Sequence, residues 1–268
     1  MIQELPISDR LSLIHDPSQG EGKSVDMAKG LFLRYQDKVY AGESAGFGLP
    51  VWKTARQTFF PTLATARRPD RNVFEKVYRL DRVVRWHLFG IRTPRFFSTG
   101  LEQLTRVYMR QPGRQQFLLK VRNALFALLR MQSTMMPDTS QGECRVVYEA
   151  QQGKVIVTVD GRSLRGIGEL ILLNEVTGLP FSRLRIGGSI LEGENIPAWR
   201  PCPFSTILEN PAAGIGFSIT PAEQQMPLHG DLASGREVGH GLNWAGLELT
   251  PDLRQFSYGI TFFRETNA

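Results

Sequence analysis

Hydrophobic and polar positions alternate with period two along most of the chain. Phe256, Tyr258, Ile260 and Phe262 interleave with Ser257, Gly259, Thr261 and Phe263, and a strand places these sets on opposite faces, one oily and one mostly small. Val155, Val157 and Val159 alternate with Lys154, Ile156 and Thr158 between Gln152-Gly153 and Asp160-Gly161. This predicts a hairpin with Cys144, Val146 and Tyr148 opposite. Ile215, Phe217 and Ile219 repeat the pattern, as do Leu31 to Leu33, Lys38 to Ala41, Phe59 to Ala66, Val73 to Leu80 and Val83 to Phe89.

One stretch departs from it. Thr99-Gly100-Leu101-Glu102 forms a capping box followed by Leu104 and Tyr108 at helical spacing, and Pro112-Gly113 stops that helix. From Arg114 a second helix carries Phe117, Leu118, Val121, Leu125, Leu128 and Leu129 on one face, a stripe suited to burial against a sheet. Its other face is basic, which also suits an anionic membrane surface. A polar loop, Ser133 to Gly142, leads back to strands. The order is a β-rich first half (1–97), a helical pair (98–133) and a β-rich second half (143–268). That order excludes the alternating layout of doubly wound folds. The reading is a mainly β chain in one compact domain: a large antiparallel β-sandwich with a two-helix insertion, or two β lobes joined through the helices.

Composition agrees with this. In 268 residues, 41% are hydrophobic and 22% charged, enough for a sizeable core. The 26 Gly and 16 Pro suit short strands and tight turns. The N-terminus lacks a basic, apolar leader, and Ala124 to Leu129 is too short to span a bilayer. Cys144 and Cys202 read as free thiols of a reducing compartment. The chain therefore reads as soluble and cytoplasmic. The net charge of +6 is uneven: 22 Lys and Arg face 12 Asp and Glu in residues 1–140, against 10 and 14 afterwards. The basic half either attracts anions or docks on the acidic half.

Gly42-Glu43-Ser44-Ala45-Gly46 resembles the G-x-S-x-G nucleophile elbow of carboxylesterases. That elbow needs a strand, a strained turn and a helix. Phe47-Gly48-Leu49-Pro50 cannot supply the helix, so the expectation is a Gly-rich turn. His15, His87, His229 and His240 show no metal-ligand spacing, and neither metal nor cofactor is expected. In the Gly235–Gly241 stretch, His240 and Glu237 are the candidate acid–base pair. Trp199 follows Glu192 and Glu194, and Trp244 follows Arg236 and Glu237, so these are candidate ligand-binding residues for a saccharide or an anion. Arg82, Arg85, Arg92 and Arg95, near Arg67, Arg68 and Arg71, are candidate anion-binding residues.

No motif declares a family. Length and β content suit the large sugar-epimerase sandwiches, a likeness of architecture without residue support. The leading expectation is a non-catalytic binding protein using the loops Glu192–Trp199 and Gly235–Trp244. A carbohydrate-active isomerase or lyase, and an anion or nucleic-acid binder, are the alternatives, with nucleic acid ranked last.

Overall fold

The computed structural model describes residues 2–16, 27–55, 57–89, 91–92, 124, 128, 130, 132–151, 153–221, 230–239 and 242–264, with backbone alone at 63, 82–88, 92 and 132–139. Most of it is antiparallel strand. Four short strands, β1 (Gln3–Ser8), β2 (Leu11–His15), β3 (Phe32–Tyr35) and β4 (Lys38–Tyr40), make a small meander. The main sheet holds β5 (Phe47–Lys53), β6 (Thr58–Asp70), β7 (Val73–Leu88), β8 (Ile91–Arg92), β9 (Gln132–Gln151), β10 (Lys154–Asp160), β11 (Glu169–Val176), β12 (Arg183–Ile186), β13 (Ser189–Glu192), β14 (Arg200–Cys202), β15 (Ile207–Asn210), β16 (Ile215–Pro221), β17 (Gly230–Gly239), β18 (Leu242–Pro251) and β19 (Gln255–Arg264). Its order is β13-β12-β15-β16-β19-β10-β9-β7-β6-β5-β11-β18-β17-β14, with β8 paired to β7.

This sheet doubles over. The register shifts between Pro61 and Leu63 on β6, and such a bulge bends its strand. Strand β9 then comes to face β5: the Tyr148 hydroxyl donates to the Phe47 carbonyl at 2.8 Å. Phe47 meets Phe217 of β16 edge to face at 4.9 Å. Strands far apart in the sheet order thus form two layers over one core, a sandwich. At Gly48 the layers come close, because a Cβ there would run into the Tyr148 ring. At the far side the edges also meet. Residues 193–199 alone connect β13 to β14, the two ends of the sheet, and seven residues span at most roughly 25 Å.

Alternation builds this core directly. Val155, Val157, Val159, Phe256, Tyr258 and Ile260 all point inward, fully or almost fully buried. The predicted hairpin is present, with Val157 opposite Tyr148 and Val159 opposite Val146. Leu5, Leu11, Leu13 and Leu33 bring the meander into the same core. The irregular stretch 28–31 between meander and sandwich has carbonyls that no ladder fully serves. Buried Lys76 donates its Nζ to the Lys29 carbonyl and, at 3.4 Å, to that of Gly30. The Tyr78 hydroxyl adds a bond to Lys29 at 3.3 Å. Burial pulls the Lys76 ammonium down to about 7.

Two expectations are corrected. The predicted loop Ser133 to Gly142 is strand: β9 begins at Gln132 and pairs with β7 from His87 opposite Gln132 to Val73 opposite Glu149. A polar sequence runs as strand here because β7 supplies its hydrogen-bond partners, which local composition does not reveal. Beyond Arg82, β7 has left β6 and pairs only with β9 and β8, so the two strands continue as a ribbon. The helical pair over 98–133 lies outside the described residues except at Ala124, Leu128 and Arg130. Ala124 and Leu128 are helical, but Leu128 is 74% exposed. It is therefore not part of a core-facing stripe: apolar spacing marks a face of a helix but supplies no layer to cover it. Among the described residues the one continuous helical element is the 3-10 turn Gly193–Asn195.

Candidate functional site

The β17–β18 hairpin and the 193–199 connection meet at the closed edge of the sandwich. Hairpin register sets Glu237 opposite Trp244 and Arg236 opposite Ala245. The Arg236 backbone N–H donates to the Pro197 carbonyl at 3.2 Å. Its guanidinium reaches two turns at once, donating from Nε to the Gly178 carbonyl at 2.9 Å and from Nη1 to the Gly193 carbonyl at 3.0 Å. Burial disfavours this guanidinium's charge, and Glu194 nearby partly restores it. The Trp199 ring lies over Gly235, where any side chain would strike Ala198 and the indole. Trp199 then stacks on Trp244 with centroids 4.8 Å apart and planes 24° apart. Both indoles are half-buried. Leu179, 62% exposed, is fixed beside them through its N–H to Asn243 Oδ1 at 2.8 Å.

Five of the sequence candidates therefore converge: Glu194, Trp199, Arg236, Glu237 and Trp244. Glu192 sits one residue before the 3-10 turn and accepts from Arg183 Nε at 2.8 Å. His240 lies outside the described residues, so the expected acid–base pair with Glu237 is not assembled among them. Strands β7 and β8 carry Arg82, Arg85 and Arg92 in the ribbon, where only their backbone is described, and Arg95 lies outside the described residues.

The G-x-S-x-G stretch is a turn, as its glycines and proline imply. Strand β5, not a helix, follows it. Ser44 is fully buried and its hydroxyl donates to the Ala41 carbonyl of the same turn, so it cannot act as a nucleophile from this position. The turn is anchored by two ionisable groups that sequence reasoning missed. Lys29 Nζ donates to the Ser44 carbonyl at 3.1 Å, and Glu175 Oε2 accepts the Ala45 N–H at 2.7 Å. Burial pushes the Glu175 carboxyl up to about 7 against the pull of that N–H and of Lys29. A lone Glu within the apolar run Leu170 to Val176 was the available signal.

Cys144 is buried and Cys202 half-buried, both free, and burial raises both thiols. Among the described residues no three His, Cys, Asp or Glu side chains gather as metal ligands. No helix among them is long and apolar enough to cross a membrane. The geometry defines a class: a doubled-over antiparallel β-sandwich with a stacked indole pair and a doubly hydrogen-bonded arginine where its end strands approach. No protein-family model matches the chain, and no curated protein matches it either.

Proposed function

We propose that this chain is a non-catalytic recognition protein that binds a saccharide on the Trp199–Trp244 platform. The observation that supports the reading is the stacked, half-buried indole pair, with the Trp199 ring packed over Gly235. A pyranose ring offers an apolar C–H face that stacks on an indole, and its hydroxyls donate to carboxylates. Glu237 lies opposite Trp244 in the hairpin register, which puts the two side chains on one face of the strand pair. A pair already stacked without ligand favours binding, because less ordering entropy is lost on contact. Arg236 is committed to two carbonyls and serves as a positioning residue.

The test is a glycan array followed by titration of tryptophan fluorescence with each hit. Trp244→Ala is expected to weaken binding by about tenfold or more, about 1.4 kcal/mol, while circular dichroism stays unchanged. Absence of any glycan hit, or equal affinity in the variant, overturns the proposal.

A further inference from the structure

A second candidate site lies on the outer face of the sheet, away from the indoles. Alternation along β7 turns Phe74, Lys76, Tyr78 and Leu80 into the core, which leaves Glu75 on the outer face. There Arg67 of β6 lies opposite Glu75, which lies opposite Val147 of β9. One oxygen, Glu75 Oε2, accepts from Arg67 Nη2 at 2.9 Å and from Arg145 Nη2 at 2.7 Å. The carboxylate is 5% exposed, whereas the two arginine side chains are 67% and 52% exposed. Arg68 stands next to them, its guanidinium fixed by the carbonyls of Asp70 at 3.3 Å and Arg71 at 2.6 Å.

These side chains line an open groove of about 500 Å³, with Pro69, Val73 and Val147 as its apolar wall. One carboxylate faces three guanidiniums, so the groove carries surplus positive charge. Asp160, the other acid acting on Arg145, is itself taken by Arg162 at 2.6 Å. The exposed Glu149 lies opposite Val73 in the register and marks the groove's acidic border. Each guanidinium has five donors in a planar fork, and the described contacts engage one from Arg67 and one from Arg145. A buried glutamate that aims two such forks into the same space preorganises them for an oxyanion.

We infer that the Arg67–Arg68–Arg145 groove binds a small phosphate monoester, its phosphate on the arginines and its apolar body on Val73, Val147 and Pro69. The volume argues for a small ligand, since sites of that kind occupy roughly 300–1,000 Å³. A phosphate monoester also matches the surplus charge and the one-sided apolar wall.

The test uses the full chain, with phenyl phosphate and inorganic phosphate as calorimetric probes. Both are expected to bind saturably, phenyl phosphate more tightly. Arg145→Gln and Arg67→Gln are each expected to weaken binding about tenfold or more, and Arg264→Gln, whose guanidinium donates to Ser8 away from the groove, to leave it nearly unchanged. Thermal unfolding of each variant without ligand shows whether it is folded, and Arg67→Lys keeps the charge but not the fork if a glutamine variant is not. No saturable heat with phenyl phosphate overturns the inference, as does equal affinity in the Arg67 and Arg145 variants. Arg145-dependent binding to anionic phospholipid vesicles or to a short oligonucleotide, with none to phenyl phosphate, also overturns it.

Discussion

The Tyr258 hydroxyl donates to Asn174 Oδ1 at 2.9 Å, joining two strands that lie six places apart in the same sheet. The same Oδ1 accepts the Gly48 N–H at 3.1 Å, so a single amide ties β19, β11 and β5 together inside an apolar core. Removing either partner has different consequences. Tyr258→Phe leaves Asn174 satisfied by Gly48 and should cost about 1 kcal/mol. Asn174→Leu strands a buried hydroxyl and a buried N–H together, and should cost about 3 kcal/mol or more. Denaturant midpoints at constant m-value compare the two; equal losses would contradict this account of the core.

The Trp199–Trp244 stack depends on the absence of a side chain at 235. Gly235→Ala puts a methyl group into Ala198 and the Trp199 ring, so the indole must move. The cost is expected to be about 1–3 kcal/mol, with loss of the near-ultraviolet dichroism of the coupled indoles. Far-ultraviolet signal should persist.

Half-buried His15 and buried Glu175 should give opposite pH slopes. Burial, with Lys76 adding to it, pulls His15 down to about 4. The unfolded chain therefore binds its proton first, and His15 contributes stability that is present above about 6.5 and lost as pH falls toward 4. Glu175 is raised to about 7, so its contribution is full below about 4.5 and lost as pH rises to 7. Urea midpoints from pH 4 to 7.5 should show that His15→Gln loses less stability on acidification than the parent chain. Glu175→Gln should lose less on the way up. Parallel curves for both variants and the parent would refute the assignments.

Leu128 is expected to matter little to folding. At 74% exposure, Leu128→Ala should shift stability by no more than about 0.5 kcal/mol, where a core leucine would cost about 2–5 kcal/mol. A midpoint shift in the larger range would place the side chain in an interface.

Strands with a greasy and a polar face were legible because their alternation is local: Val155 to Val159 and Phe256 to Ile260 needed no partner to be read. Glu175 and Asn174 were not legible as anchors, since each interrupts an apolar run and is explained by chain 84 to 130 residues away. The polar start of β9 was misread for the same reason, its pairing lying wholly in β7. At the platform, proximity of Trp to carboxylates along the chain did point to residues that meet. The stack and the two carbonyls taken by Arg236 were invisible, because Trp199 precedes β14 while Trp244 sits in β18, and the carbonyls belong to turns 58 and 43 residues from Arg236. Arg145 and Glu75 were overlooked because the groove draws on three strands, and no single stretch of sequence holds it.

The β7–β9 ribbon has a bearing on how this protein's parts can be exchanged. With His87 opposite Gln132, the chain leaves and re-enters the ribbon at neighbouring positions. Whatever lies between is grafted on like a hairpin tip, and the entropic penalty of a graft grows only with the logarithm of its length. Residues 93–131 hold seven Lys and Arg against one Glu, leaving 25 basic and 25 acidic residues in the rest of the chain. Every described core residue also lies outside them. The whole formal net charge of the sequence thus lies in residues 93–131, so exchanging that segment for a neutral one at the ribbon end would bring the chain to formal neutrality.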